Sequence, residues 1–411
     1  MTVSLESTPQ RGDRQVVHDP HPPSLTYLAL FLRFLGFGVL AFGGPVAQIA
    51  MIRRELIERE RWMSEAHFNR LLAVMQVLPG PEAHELCVHL GMRARGRVGG
   101  LLAGLGFMLP GLAIMLAIGW AYVSFTPVMG LLSGAFLGVQ SAVLAVILRA
   151  VRTIAGHILE DAWLWGLAAA GFLATLVDVE FWIVLIAGGA SYAAVKAGRY
   201  RWAGAAVVAA AVVAVLPPHV TGTNPETGNG GAATAGVLAM FWTGLKAGLL
   251  TFGGAYTAIP YVRDDTVGRG VMNDGAFLDG IAFAGVIPAP LVIFCTFVGF
   301  VIGGLPGALA MTAGVFLPAF GFSMIFYERL EGVVGDQRLH RVLAGVAAAV
   351  VGIIAATALQ LGWATLERVP SASVALAIFG VSLAVVWLWR NRYATTMVLA
   401  LSALAGWLLF R

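Results

Sequence analysis

Glu82, Glu85 and His89 stand at i, i+3 and i+7 in the segment Pro81-Glu82-Ala83-His84-Glu85-Leu86-Cys87-Val88-His89. Helical spacing puts those three on one face and His84 on another. Two carboxyls and an imidazole on one face have three readings. They can exchange protons while something else moves past them. They can ligate a transition metal, although no thiolate-rich or HExxH pattern accompanies them. Or they can simply face a water-filled vestibule.

The residues just before this face carry a second kind of chemistry. A helix restarting after Pro79-Gly80-Pro81 offers backbone N–H groups with no partner further back and the positive end of its dipole. The chain repeats the device at Pro288-Ala289-Pro290. Two such helix starts brought together would hold an anion. Phe42-Gly43-Gly44 and Phe252-Gly253-Gly254 add glycines that let backbone come close and donate further N–H groups. Pro and Gly are also ordinary kinking and packing residues of membrane helices, and that plainer reading stands beside this one. Lys246 and Arg33 lie inside otherwise apolar segments, where a charge costs about 2.5 kcal/mol or more. Lys246 could balance an anion. Arg33, nearer the start of its segment, could instead reach the interface along its aliphatic stem.

The elements that must position these residues occur twice. Phe-Gly-Gly recurs at an offset of 210 (252 − 42), the proline pairs at 209 (288 − 79), and Leu109-Pro110 and Leu317-Pro318 at 208. The only cysteines, Cys87 and Cys295, are also 208 apart. Copy one has acids and histidines where copy two has Leu291 to Thr296, so that polarity is no requirement of the repeat. Repeated halves in a membrane protein are the usual sequence trace of a transporter with its pathway between them.

Only 12% of residues are charged, 59% are hydrophobic and mean hydropathy is +0.83. A soluble chain has roughly 25% charged residues. Apolar runs near 99–123, 128–148, 162–178, 181–195, 202–216, 304–327, 342–361, 372–389 and 394–410 approach or exceed the length of a membrane span. The FGG stretch 25–52 and the stretch 66–92 are broken by Gly and Pro, so short half-helices are expected near the membrane middle, crossing fully or re-entering.

Lys and Arg mark cytoplasmic loops. In the first half they gather at Arg53, Arg54, Arg59 and Arg61, at Arg93, Arg95 and Arg97, at Arg149 and Arg152, and at Lys196, Arg199 and Arg201. In the second half the turn equivalent to Arg93–Arg97 has none, whereas Arg329, Arg338, Arg341, Arg390 and Arg392 fill the equivalents of the connections near 124–130 and 178–180, which carry no Lys or Arg in the first half. The copies therefore read as inverted. The expected fold is an all-α polytopic membrane protein of two inverted-topology repeats with about 13 segments. Its parts are a disordered cytoplasmic tail (1–24), a first repeat (25–197), a connecting transmembrane helix (198–216), an external linker (217–235) and a second, inverted repeat (236–411). The N-terminus is expected in the cytoplasm and the C-terminus outside.

The motifs FGGP…RRELIERERWMSEAHF…QVLPGPEAHELCVHLGMRARGRVGGLLAGLGFMLPG, echoed by TFGGAYTAIPYVRDD…GVIPAPLVIFCTFVGFVIGG, closely resemble the chromate ion transporter (CHR) family in its long, two-domain form. The resemblance covers about residues 25 to 330. It implies a bacterial inner-membrane efflux carrier that lowers cytoplasmic chromate, confers chromate resistance and confuses chromate with sulfate, a dianion of similar shape. It places the substrate-binding motif on Phe42, Gly43, Gly44, Pro79, Gly80 and Pro81, and on Phe252, Gly253, Gly254, Pro288 and Pro290. Lys246 joins that set from the charge argument above. Ala289 replaces the first turn's glycine and puts backbone access there in question.

No GxSxG, HExxH or ring of like charges is present, which favours a carrier over an intramembrane enzyme or a channel. No cofactor and no resident metal are expected, and the net charge of +4 is spread through loops with no need of nucleic acid. The expected partners are a chromate or sulfate oxyanion and the lipid bilayer, with a homodimer left open.

Overall fold

The structure is a computed structural model that describes residues 20–75, 80–125, 132–177, 179–215, 231–251, 255–325, 337–389 and 394–410. Among them every regular element is helical. Copy one contains α1 (Tyr27–Val39), α2 (Gly44–Ile52), α3 (Glu65–Met75), α4 (Glu82–Ser124), α5 (Ser133–Ile158), α6 (Ala162–Leu176) and α7 (Phe181–Lys196), followed by the connecting helix α8 (Tyr200–Val215). Copy two contains α9 (Gly231–Leu249), α10 (Ala258–Arg263), α11 (Asp274–Val286), α12 (Phe294–Ile325), α13 (Gln337–Arg368), α14 (Ala372–Leu388) and α15 (Ala394–Leu409). The backbone of α9 starts at Gly231, inside the stretch read from sequence as linker.

The repeat is visible in backbone angles. α4 breaks at Arg95 (φ −147°, ψ 29°) and Gly96 (φ 62°, ψ −159°), and α12 breaks 208 positions later at Gly303 (φ −134°, ψ 20°) and Gly304 (φ 59°, ψ −154°). The second residue of each pair occupies a region essentially restricted to glycine, so only glycine can turn the chain there. After the turn the long arm, 97–124, folds back along the short arm, 82–94. Gly91 and Gly99 face each other so closely that a methyl on either would strike the other's carbonyl. Gly299 and Gly307 repeat this contact in copy two. The short arm is about 20 Å long, less than the roughly 30 Å hydrocarbon layer, so the expected half-helix is present. Within 66–92 the described residues form α3, ending at Met75, and this arm, starting at Glu82.

Small residues also seat α1 against the long arm of α4 through Gly38 and Gly106, and α9 against α12 through Gly244, Gly248 and Gly314. Close backbone approach of this kind is how apolar helices associate when lipid competes for every greasy contact.

Beyond the arms the halves interlock. α5 of copy one packs on α14 and α15 of copy two, while α13 of copy two packs on α6 and α7 of copy one. A methyl at Gly134 would lie 2.8 Å from the Gly406 carbonyl, and one at Gly188 would lie 2.9 Å from the Gly345 carbonyl. These are the same contact made twice with the copies exchanged.

Among the described residues four helical stretches are long and apolar enough to cross a bilayer: Glu82–Ser124 and Leu291–Ile325, each with its break, Ser133–Ile158, and Arg341–Arg368. Six shorter apolar helices accompany them among the described residues. Leu28, Trp163, Trp202, Leu238, Trp363 and Leu388 are among the large apolar side chains left exposed around the outside, a surface suited to lipid.

Candidate functional site

Gly43 (φ 92°, ψ 12°) and Gly44 (φ 77°) both sit in the left-handed region, where a side chain is strained, and they turn the chain from α1 into α2. Phe42 borders a cleft of about 640 Å³ lined also by Arg33, Gly36, Arg54 and Glu55. Gln48, buried in α2, donates its Nε2 to the carbonyl of Ala41 at 2.8 Å and to that of Ala289 at 3.0 Å. The FGG element of copy one is thereby fastened to the Pro288-Ala289-Pro290 turn of copy two. In return, the N–H of Gly80 donates to the carbonyl of Thr251 at 2.8 Å, fastening the first copy's proline turn to the start of the second copy's FGG element. Pro79, Phe252, Gly253 and Gly254 lie outside the described residues.

The long arms complete the crossing. A methyl on Gly111, just past Pro110, would sit 3.3 Å from the Pro288 carbonyl, and one on Gly80 would sit 3.4 Å from the Ala319 side chain just past Pro318. Each proline turn therefore rests on the other copy's Leu-Pro bend.

Pro81 (φ −73°, ψ 102°) starts the short arm of α4, with the N–H groups of His84 and Glu85 both donating to its carbonyl at 2.9 and 3.1 Å. Glu82, Glu85 and His89 are all buried on this arm, and so is His84. Glu85 is 0% exposed, and neither carboxylate oxygen has a hydrogen-bond partner among the described residues. Its Oε1 lies against Gly80, whose φ of +146° and missing side chain leave that space. A carboxylate thus occupies the start of a helix, the place an incoming anion would use. His84 sits with its ring centroid 4.9 Å from that of Phe316 and 4.7 Å from that of Phe320, both in copy two. His84, on the other face of the arm, is therefore covered by aromatic rings of the other half. No group of three or more His, Cys, Asp or Glu placed to hold a metal occurs among the described residues. At the matching start in copy two, Pro290 leads into the apolar turn Leu291–Ile293.

The two cations that the sequence sets inside apolar segments are paired. Arg33 bonds Glu60 and lies 5.7 Å from the Trp62 ring, while Trp62 Nε1 donates to Glu60 at 2.9 Å. Lys246 Nζ lies 2.6 Å from Asp265, with side chains 17% and 5% exposed, and Asp265 also accepts from Thr243 at 3.0 Å and Arg269 at 3.1 Å. In both copies the acidic partner lies in or just after a short π-helical stretch, Arg53–Arg59 and Asp264–Gly268. Such stretches are rare and concentrate at functional sites. Gln48, Thr251 and Asp265 were not among the residues singled out from sequence. The signal was there for two of them: Gln48 is a lone amide in an apolar run four residues after Gly44, and Asp265 belongs to an acidic pair following the second FGG element.

The sequence pattern of a family described as Chromate transporter matches residues 28–193 and 238–407, once for each copy. A chromate transport protein of Pseudomonas aeruginosa is 57% identical over 393 residues, covering 95% of this chain and 94% of its own length. A chromate transport protein of Cupriavidus metallidurans is 29% identical, with 97% and 98% covered. An uncharacterized transporter of Methanocaldococcus jannaschii is 26% identical, with 93% and 94% covered. No solved structure matches the chain.

Proposed function

Because the chain belongs to the chromate transporter family, we propose that it exports chromate across a bacterial inner membrane as a secondary carrier, by alternating access between two inverted copies. Chromate and sulfate are tetrahedral dianions of similar size, and the same site would take both. The mirrored Lys/Arg bias supports the inversion, with about 13 segments, a cytoplasmic N-terminus and an external C-terminus.

The observation that carries the reading is the reciprocal fastening of the breaks, Gly80 to Thr251 and Gln48 to Ala289. These two links join Gly80 to the residue before the second glycine element and Gln48 to the second proline turn, which supports a seam of the kind where discontinuous helices of a carrier bind their substrate. Helix starts and glycine N–H groups supply the donors for the oxyanion. Phe42, Gly43, Gly44, Gly80, Pro81, Pro288 and Pro290 shape this seam. The Asp265 carboxylate offsets the charge of Lys246, so the seam's positive potential rests on its helix starts.

A dianion and an ionised Glu85 compete for the same helix start. The proposed mechanism therefore lets chromate in when Glu85 is protonated, with Glu82 and His89 on the same face exchanging that proton. Export has a ready driving force. Two negative charges leaving a cytoplasm held at −100 mV gain about 4.6 kcal/mol, and still about 2.3 kcal/mol when one proton goes along.

Radiolabelled chromate uptake into inverted vesicles tests the reading. Saturable uptake that excess sulfate suppresses is expected; uptake no greater than in vesicles lacking the protein would overturn it.

A further inference from the structure

Another buried carboxyl stands where the two copies meet, away from Glu85. Asp279 is the single acid within the apolar middle of α11 and is 4% exposed. Two groups from copy one reach it: Tyr122, on the long arm of α4, donates its hydroxyl to Oδ2 at 2.9 Å, and Gln140 of α5 donates Nε2 to Oδ1 at 2.8 Å. Gln140 Nε2 also lies 3.4 Å from the Gly275 carbonyl. Around them the rings of Phe136, Phe283 and Phe297 pack on Tyr122 with centroids 5.0 to 6.3 Å away. No salt bridge neutralises Asp279 among the described residues. The charged groups nearby face its helix one turn earlier: Arg368, at the end of α13, approaches Gly275, and Arg263 pairs with Asp274 at 2.8 Å. α15 brings no titratable side chain and the short arm of α12 only Cys295.

Gln140 is 4% exposed, and its Oε1 is buried without a hydrogen-bond partner. Rotating the amide by half a turn exchanges its two ends. Oε1 would then face Asp279 Oδ1 and the Gly275 carbonyl, with the Tyr122 hydroxyl beside them. Three oxygens facing one another repel unless a positive charge sits among them. As it stands one acceptor is orphaned; turned over, the cluster needs a cation. We infer that Asp279, Gln140, Tyr122 and the Gly275 carbonyl form a binding site for a small monovalent cation, H⁺ or Na⁺, shared by the two copies, with the Gln140 amide reporting whether it is filled. The ligand chemistry is a hard cation on a carboxylate supplemented by neutral oxygens, which suits either ion.

The test is thermal unfolding of the purified full-length protein in detergent, without chromate, in choline chloride and NaCl at constant ionic strength and over a range of pH. Binding to the folded state raises the unfolding midpoint as the ion is titrated. Wild type is expected to respond to Na⁺ at fixed pH if Na⁺ is the ligand, or to falling pH in choline if it is H⁺. Asp279→Asn is expected to lose that response, and Gln140→Leu to weaken the apparent affinity by about tenfold or more. Should Asp279→Asn fail to fold, Gln140→Leu and Tyr122→Phe decide, because both keep the carboxylate. Responses in the variants equal to those of wild type, or no wild-type response to either ion, would overturn the site. Since no oxyanion is present, that result would leave the export reading untouched.

Discussion

The backbone N–H of Gly80 and the carbonyl of Thr251 meet at 2.8 Å, joining the break of one copy to the glycine element of the other. Gln48 makes the converse link to Ala289 at 3.0 Å. In the proposed carrier these two links would carry a displacement on one side of the seam to the other.

Gly80→Ala tests that coupling. A φ of +146° is closed to alanine, and the added methyl would overlap the Glu85 carboxylate. Backbone strain of about 1–3 kcal/mol is expected, with roughly tenfold or greater loss of chromate uptake in variants that still reach the membrane. Expression-normalised uptake in vesicles checks this; wild-type rates would show that the turn tolerates a side chain and that the close fit is incidental.

Lys246 and Asp265 should behave as a unit. Lys246→Gln leaves a buried carboxylate to Arg269 and Thr243, and Asp265→Asn leaves a buried ammonium, so each single variant should lose stability. The double variant should recover part of it, with a coupling energy of about 1–3 kcal/mol. Unfolding midpoints of the four proteins measure the coupling. Strictly additive losses would mean that the 2.6 Å pair contributes nothing specific.

Asp161 gives a pH prediction at the membrane edge. Partial desolvation pushes its carboxyl up, but hydrogen bonds from Lys196, the Leu164 N–H and Tyr192 outweigh this and hold it below its ordinary value. A lowered folded-state pKa means stabilisation fully present above the unfolded value of about 3.9 and lost as pH falls through the folded one. Asp161→Asn should therefore lower the unfolding midpoint at neutral pH and make little difference in strong acid. Because the group is largely solvated, the effect is small. An equal deficit at every pH would assign the loss to the N-cap of α6 alone.

Much of this architecture was legible in the chain. The offsets of the FGG, Pro-X-Pro and Leu-Pro motifs announced the repeat, and prolines and glycines marked the breaks, because each residue type restricts its own backbone. The i, i+3, i+7 spacing placed Glu82, Glu85 and His89 together on the arm that the structure buries. What could not be read was contact between copies. Nothing local in Gly80 names Thr251, and helical periodicity shows that α5 and α13 have small-residue faces without showing that each seats against the other half. Lys246 looked like an unmatched charge because Asp265, in the same copy, reaches it only after the chain bends through α10. Asp279 passed unnoticed as one acid in an apolar helix until Tyr122 and Gln140 were brought to it.

The most direct measurement is the pH profile of chromate transport by Glu85→Gln, taken in vesicles at a fixed membrane potential. If the dianion shares its helix start with a neutral Glu85, wild-type transport falls as rising pH ionises the carboxyl. The glutamine variant, permanently neutral, keeps the low-pH rate throughout and still binds chromate. A Glu85→Gln profile that declines with pH just as wild type does would contradict the account, leaving the buried carboxylate beside Gly80 without a part in transport.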